Sequence, residues 1–136
     1  MKALLIYLWQ LPQNLLALLI FLFFKTEKSL MYKGIKVHVS HKFPGGLSLG
    51  NHILVKVYPH NEKTWKRVKH EYGHTRQSVR WGWLYLIVLG IPSLIGAIES
   101  KYLHTEKRGW TKQASDFWYF NQPWEKQADE LGGVER

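Results

Sequence analysis

The chain has 136 residues, of which 46% are hydrophobic and 15% aromatic, and its formal net charge is +9. Disordered chains have low hydrophobicity and few aromatic residues, so this composition excludes disorder and predicts one folded domain. Cysteine is absent, which excludes disulfides and thiolate ligands and leaves His and carboxylate side chains to hold any metal. A positive charge of this size is typical of proteins that bind nucleic acid or an anionic membrane surface.

An uncharged segment runs from Ala3 to Phe24, and its length of about 22 residues is close to the roughly 20 that a membrane-spanning helix needs. Polar residues and a proline interrupt it between positions 10 and 14, so we expect a kinked helix rather than a uniform one. Lysines dominate the residues that follow, and the positive-inside rule then places the rest of the chain on the cytoplasmic side. We predict a membrane anchor over residues 1–28, with a cleaved signal peptide or a buried soluble helix as the alternatives.

A small antiparallel sheet is predicted ahead of residue 60. Residues 35–40 alternate apolar and polar side chains, as a half-buried strand does. A turn is expected at residues 43–46, which include a proline and two glycines. Residues 47–58 are typical of one or two further strands, with Gly50-Asn51 as the hairpin turn in the second case.

Two helices are predicted on either side of a second apolar segment. The first begins at Asn61, a good N-cap residue, and runs to about Arg80. The last begins near Asn121, has Pro123 in its first turn, and ends at Gly132-Gly133.

The first helix carries the sequence His70-Glu71-Tyr72-Gly73-His74. On a helix, His70 and His74 lie one turn apart on the same face, so both imidazoles can reach a single ion. Glu71 is rotated by about 100° from His70, where it can take a proton from a water without being a ligand. This pattern predicts a metal site, and the alternative is a helix with two surface histidines and a solvated glutamate.

A catalytic zinc site needs a third protein ligand and an open position. Glu125 and Asp129 lie four residues apart and therefore share one face of the last helix. Glu125 can bind the metal while Asp129 accepts the other ring N–H of a ligating histidine. The alternative is an exposed acidic pair beside Lys126 that supports the helix.

The pairing of His70–His74 with the downstream Glu-x-x-Ala-Asp motif resembles zinc peptidases whose third ligand is a glutamate. It is most similar to the membrane-bound prenyl-protein (CAAX) proteases and the HtpX-type heat-shock peptidases. Longer blocks at residues 70–78, 90–94 and 125–134 also resemble a group of short bacterial membrane proteins of unknown function. The first resemblance covers only the two motifs, whereas the second covers most of the chain.

The resemblance implies that His70, His74 and Glu125 bind one zinc ion. It implies that Glu71 is the general base and that Asp129 supports a ligating histidine. The predicted fold is α+β, with an N-terminal membrane anchor helix, a small antiparallel sheet, an active-site helix, an apolar helical hairpin and a C-terminal ligand helix, and the resemblance makes it minimally zincin-like. The predicted location is the bacterial inner membrane, and the positive-inside rule places the catalytic part in the cytoplasm.

If Glu125 meets the two histidines, all three lie on one side of the bilayer or together inside it. The apolar residues 83–98 would then form a re-entrant or interfacial hairpin, broken at Gly90-Ile91-Pro92, or a buried helix pair packed on the anchor. The compact domain of residues 29–136 includes this segment. A true second span is the alternative.

The sequence therefore predicts a membrane-anchored zinc peptidase that acts on a peptide or protein substrate and contacts membrane lipid. The extended segment 47–58 would hold the substrate backbone. The alternative is a non-catalytic membrane protein, either with a structural metal site or as a degenerate peptidase-like adaptor, and nucleic acid binding is not expected. The candidates for stabilising the oxyanion are Tyr119, His104 and Arg76, while His38 and His41 are expected to be surface residues.

Overall fold

The structure is a computed structural model that describes residues 1–56 and 61–136, without the side chain of Asn61. Its helices are α1 (Lys2–Trp9), α2 (Leu11–Phe23), α3 (Asn61–Trp81), α4 (Ile91–Tyr102), α5 (Lys112–Phe120) and α6 (Pro123–Gly132). Its strands are β1 (Lys28–Tyr32), β2 (Ile35–Val39), β3 (Gly46–Leu49) and β4 (His52–Val55). The predicted α+β class is confirmed. The side chain of Asn61, the predicted N-cap, and the predicted strand residues Val57 and Tyr58 lie outside the described part of the chain.

The four strands form one mixed sheet in the order β1-β2-β4-β3. The predicted hairpin at Gly50-Asn51 is confirmed, because β3 and β4 pair antiparallel with Leu49 opposite His52. The prediction of a purely antiparallel sheet is wrong, since β4 pairs in parallel with β2. The reason is that β3 folds onto the outer side of β4, which leaves β4 beside β2 and running in the same direction.

The sheet separates two apolar layers. On one face, Val37, Val39, Ile53 and Val55 pack against Val68 of α3 and form the buried core. On the other face, β3 and β4 pack against α2, where a small cavity is lined by Ala17, Ile20, Phe21, Leu47, Leu49, His52 and Leu54. The core therefore fixes α3 against the sheet and presents the opposite side of α3 to the rest of the chain.

The N-terminal apolar segment is bent rather than straight, as its internal polar residues predict. Among the described residues, no single helix has both the length and the apolar character of a membrane span. The α1–α2 pair passes that test only when taken together, across a bend of 77°. The anchor role of this segment stays a prediction.

The polar residues at this bend turn inward. Gln10, Gln13 and Asn14 are all fully buried. The Asn14 side chain accepts a hydrogen bond of 2.8 Å from the backbone N–H of Asn51 in the β3–β4 turn, and Gln13 donates to the carbonyl of Gly82 just after α3. Because buried backbone groups need partners, these side chains connect the bend to the sheet and to the end of α3.

Residues 82–102 form an almost continuous helical segment. A 3₁₀ turn at Gly82–Leu84 is followed by a π turn at Leu86–Gly90 and then by α4. The predicted chain reversal at Gly90-Ile91-Pro92 is wrong, because Gly90 is helical, with φ −63° and ψ −49°. Pro92 lies in the first turn of α4, where a missing N–H costs no intrahelical hydrogen bond.

The chain reverses between α4 and α5 instead. The hydroxyls of Ser100 and Ser115 lie 2.7 Å apart, and those of Ser93 and Tyr119 lie 3.4 Å apart. These pairings show that α4 and α5 run antiparallel. The structure therefore contains a helical hairpin of α4 and α5, which is not the hairpin predicted within residues 83–98.

Candidate metal site

The site lies between α3 and α6, which approach each other closely because both carry glycine at the contact. A side chain at Gly73 would overlap the carbonyl of Ala128, and a side chain at Gly132 would overlap the carbonyl of Lys69. These pairings run in opposite directions along the two helices, so α3 and α6 are antiparallel. The short distance between the helices brings the first turn of α6 against the histidines of α3.

Three predicted ligands converge at this contact. Glu125 Oε2 lies 3.1 Å from His70 Nε2 and 3.2 Å from His74 Nε2. Four-coordinate zinc with bonds of about 2.0–2.1 Å places neighbouring donor atoms roughly 3.3 Å apart. The buried side chains of His70, His74 and Glu125 are therefore close enough to bind one metal ion.

Both histidines are held from behind by hydrogen-bond acceptors. His70 Nδ1 lies 2.7 Å from Asp129 Oδ1, which is the role predicted for Asp129. His74 Nδ1 lies 2.8 Å from Gln77 Oε1, a residue to which the sequence reasoning gave no role. An acceptor at Nδ1 places the ring proton there and leaves the Nε2 lone pair for a cation. The i, i+3 spacing of His74 and Gln77 on the helix is the signal that could have identified this pair.

Asp129 is held in turn by Arg136. The guanidinium Nε lies 2.5 Å from Asp129 Oδ2 and its Nη2 lies 3.1 Å from Oδ1. The Arg136 guanidinium also lies 3.1 Å from the centre of the Phe120 ring. Burial alone would raise the pKa of Asp129, but hydrogen bonds from His70 and Arg136 outweigh it and lower the pKa. Asp129 is therefore a fixed anion behind His70.

The second oxygen of Glu125 faces α4. Ser93 donates a hydrogen bond to Glu125 Oε1, and the Tyr119 hydroxyl lies 3.4 Å from the Ser93 hydroxyl. Of the three candidates for stabilising an oxyanion, only Tyr119 has a described contact with this cluster. His104 stacks on Trp110 with the ring centres 3.8 Å apart, and Arg76 is exposed.

The predicted general base, Glu71, lies on α3 beside the ligands and is 4% exposed. The backbone of Gly46 at the start of β3 lies directly against its carboxylate, and a side chain at Gly46 would overlap Glu71 Oε1. A side chain at this position would have to displace the Glu71 carboxylate. The first residue of the edge strand β3 therefore lies against the Glu71 side chain.

The charges of the cluster favour a cation. Burial alone would raise the pKa of Glu125, but hydrogen bonds from His70 and His74 lower it. Burial alone would lower the pKa of His70, but hydrogen bonds to Asp129 and Glu125, together with the charge of Glu71, raise the pKa to about 9. The carboxylates thus stabilise positive charge where the donor atoms meet, which is the property that a metal site requires.

Comparisons with protein-family models, with curated proteins and with solved structures found no match for this chain. The likeness to zinc peptidases therefore rests on the two sequence motifs alone. The geometry of the ligand cluster is a separate observation that does not depend on that likeness.

The expectation that His38 is a surface residue is wrong. His38 is 8% exposed, and its Nε2 lies 3.3 Å from Nδ1 of His52 on the neighbouring strand. The ring of Phe21 in α2 lies 4.3 Å from the His38 ring, measured between centres. The strand alternation turns His38 towards α2, and the sequence did not show that a helix covers this face. His41 is exposed, as expected, and pairs with Glu27.

Proposed function

We propose that this chain is a zinc-dependent peptidase. The observation that carries the proposal is the convergence of two histidine nitrogens and a carboxylate oxygen from separate helices beside Glu71. Two His and one Glu are a donor set found in catalytic zinc sites, whereas a chain without cysteine cannot build the thiolate-rich sites that are common for structural zinc. When bound, zinc would supply a Lewis acid that polarises a carbonyl and lowers the pKa of water.

The residues of this chain have distinct roles in the proposed reaction. Glu71 accepts a proton from the attacking water and then passes it to the leaving amine. Tyr119, which lies 3.4 Å from the Ser93 hydroxyl, would donate a hydrogen bond to the negative charge that develops on the carbonyl oxygen. Asp129 and Gln77 keep both imidazoles oriented throughout.

The proposed substrate is a peptide in an extended conformation. β3 is the terminal strand of the sheet and pairs with β4 on one side, and its first residue, Gly46, touches Glu71. A peptide that added to the outer edge of β3 would form main-chain hydrogen bonds with it and pass over the general base. This arrangement supports the earlier expectation for the β3 part of residues 47–58, whereas β4 is paired on both sides and offers no free edge.

The proposed location is a bacterial inner membrane, with the site on the cytoplasmic side and lipid as a partner. Exposed apolar side chains along α1 and α2 support this proposal, including Leu4, Leu5, Leu8, Leu15, Leu18, Leu19, Leu22 and Phe23. A second exposed set lies along residues 83–98, namely Trp83, Leu84, Ile87, Val88, Ile91, Leu94, Ile95 and Ile98. Trp83 Nε1 donates to the carbonyl of Leu8 at 3.0 Å, so the two sets adjoin. Exposed apolar surfaces of this kind are typical of membrane-contacting proteins.

One observation favours a second candidate, a structural metal site in a non-catalytic adaptor. His70, His74 and Glu125 are 1%, 5% and 0% exposed, so a substrate can reach them only if a covering segment moves. The segment that covers Glu71 begins at Gly46, and α4 covers Glu125 through Ser93. Peptidase activity therefore requires that one of these two segments opens.

The test is metal content and hydrolysis of the detergent-purified full chain, with a fluorescence-quenched peptide library as substrate. We expect one zinc per chain, lost in His70→Ala and in Glu125→Ala. Glu71→Gln should keep the zinc and lose roughly 10²–10⁴-fold of the hydrolysis rate. Zinc binding without hydrolysis would favour the adaptor, and hydrolysis that survives in Glu71→Gln would refute the peptidase mechanism.

A further inference from the structure

A block that the sequence singled out, Gly90–Leu94, has no role in the proposed reaction so far. It begins at the end of the π turn, whose i→i+5 hydrogen bonding rotates the following residues relative to a continuous α-helix. Pro92 then lies in the first turn of α4, where its fixed φ favours helix initiation. The side chain that this local geometry brings to the metal site is Ser93.

Ser93 contacts only one of the two oxygens of Glu125. Its hydroxyl donates to Oε1, while Oε2 lies 3.1 and 3.2 Å from the two histidine Nε2 atoms. Glu125 is fully buried, so an oxygen without a donor would carry an unfavourable desolvation energy. The two oxygens are therefore in different environments before any ion binds.

We infer that Ser93 is a positioning residue that makes Glu125 bind its metal through Oε2 alone. A carboxylate can bind a cation with one oxygen or with both, and a donor on one oxygen favours the first mode. Binding through one oxygen leaves a coordination position free, which is what separates a catalytic from a closed zinc site. The inference rests on the metal site of the proposed function, but it does not require that the chain hydrolyses peptides.

One alternative to Ser93 as the donor to Glu125 is Tyr119. Tyr119 lies 3.4 Å from the Ser93 hydroxyl and is also close enough to Glu125 to affect it, since the charge of Glu125 adds to burial in raising the pKa of Tyr119. If Tyr119 were the donor that mattered, removal of the Ser93 hydroxyl would leave metal binding unchanged. The experiment below separates these two cases.

The test uses the full chain in detergent, with Co²⁺ in place of zinc, because the visible absorption of Co²⁺ reports its coordination number. Ser93→Thr keeps a hydroxyl, and Ser93→Val has nearly the shape of the threonine variant but no hydroxyl. We expect Ser93→Thr to match the wild type, and Ser93→Val to bind Co²⁺ about 10-fold more weakly or worse. We also expect the weaker absorption of a higher coordination number in Ser93→Val.

The matched control is Ser100→Ala, which removes a hydroxyl from the same helix at its contact with Ser115. It should leave both the Co²⁺ affinity and the spectrum unchanged. Equal affinity and spectrum in Ser93→Thr and Ser93→Val would overturn the inference while leaving the metal site intact. A wild-type chain without stoichiometric metal would instead refute the proposed function, and with it the basis of the inference.

Discussion

The carbonyl oxygen of Ala128 occupies the space in which a side chain of Gly73 would begin. This contact joins the helix of the two histidines to the helix of Glu125, and each of its residues belongs to one of the two motifs that carry the candidate metal ligands. A glycine in the middle of a helix is unfavourable by roughly 0.5–1 kcal/mol relative to alanine. Here the close approach of α6 requires it.

Gly73→Ala is therefore expected to separate α3 from α6 and to disturb the ligand cluster. Overpacking of this kind costs roughly 1–3 kcal/mol in the free energy of unfolding, and we expect zinc content to fall with it. Urea unfolding and metal analysis measure the two effects. Gly96→Ala is the control, because its added carbon would make only ordinary contacts with Tyr119. Full zinc content in a stable Gly73→Ala chain would contradict the proposed role of this contact.

A second pair of glycines tests whether β3 and Glu71 act together. The added methyl in Gly46→Ala would overlap the Glu71 carboxylate, whereas that in Gly45→Ala would meet open space. We expect Gly46→Ala to keep its zinc and to lose peptide hydrolysis by about 100-fold or more, since a displacement of about 1 Å can cost that much. Gly45→Ala should behave as the wild type. Equal rates in the two variants would argue against a role for this contact.

Asp129→Asn tests the hydrogen bond between Asp129 and Nδ1 of His70. The amide cannot accept the His70 N–H as a charged partner, and it loses the ion pair with Arg136, so zinc affinity should fall by roughly 10–100-fold. Glu130→Gln, at an exposed neighbouring position of α6, is the control and should not change the affinity. Competition with a chelator of known zinc affinity provides the measurement. An unchanged affinity in Asp129→Asn would remove this residue from the site.

The histidine pair beneath α2 predicts a pH dependence of stability. Burial, then the neighbouring His52, then Lys36 lower the pKa of His38 from 6.5 to about 4, and burial followed by Lys36 lowers the pKa of His52. Between about pH 4 and pH 6.5 the unfolded chain therefore binds more protons than the folded chain. The stability that the neutral His38–His52 pair allows is therefore complete above pH 6.5, and it is lost as the pH falls towards 4. No titratable side chain of α2 faces the pair, because α2 carries none.

The measurement is the urea midpoint of the wild type and of a His38→Gln, His52→Gln variant between pH 4 and pH 8. The difference between the two curves isolates the pair from the other titrating groups. We expect the wild type to lose more stability than the variant on acidification. Parallel curves for the wild type and the double variant would contradict the burial of the pair.

The elements that hold the motifs could be predicted because local signals fix them. Gly82 at the end of α3 has φ +53° and Gly133 after α6 has φ +71°, conformations that favour glycine, and Pro123 begins α6 as expected. The i, i+4 spacing of both motifs then determined which side chains share a face. The expectation that the two motifs meet came from coordination chemistry, which requires a third ligand besides the two histidines. The structure brings His70, His74 and Glu125 together.

The rest depends on tertiary contacts that have no local signal. The parallel pairing of β2 with β4 depends on which side of β4 the β3 strand occupies. β1 was missed because four of its five residues are exposed, so its sequence lacks the alternation of a half-buried strand. Ser93 was missed because a serine in an apolar helix can form several kinds of hydrogen bond. Its contact with Glu125 depends on where α4 passes relative to α6, which has no local sequence signal.

By hydropathy alone, Gln10, Gln13 and Asn14 only weaken the apolar character of the N-terminal segment. Their buried amides instead form hydrogen bonds with the β3–β4 turn and with Gly82 just after α3. A segment of uniform leucine would be more apolar, but it would leave the Asn51 N–H without its Asn14 acceptor and would remove the hydrogen bond from Gln13 to the Gly82 carbonyl. The N-terminal segment is therefore a structural part of the folded domain, and replacing it would remove hydrogen bonds that fix the sheet and the end of α3.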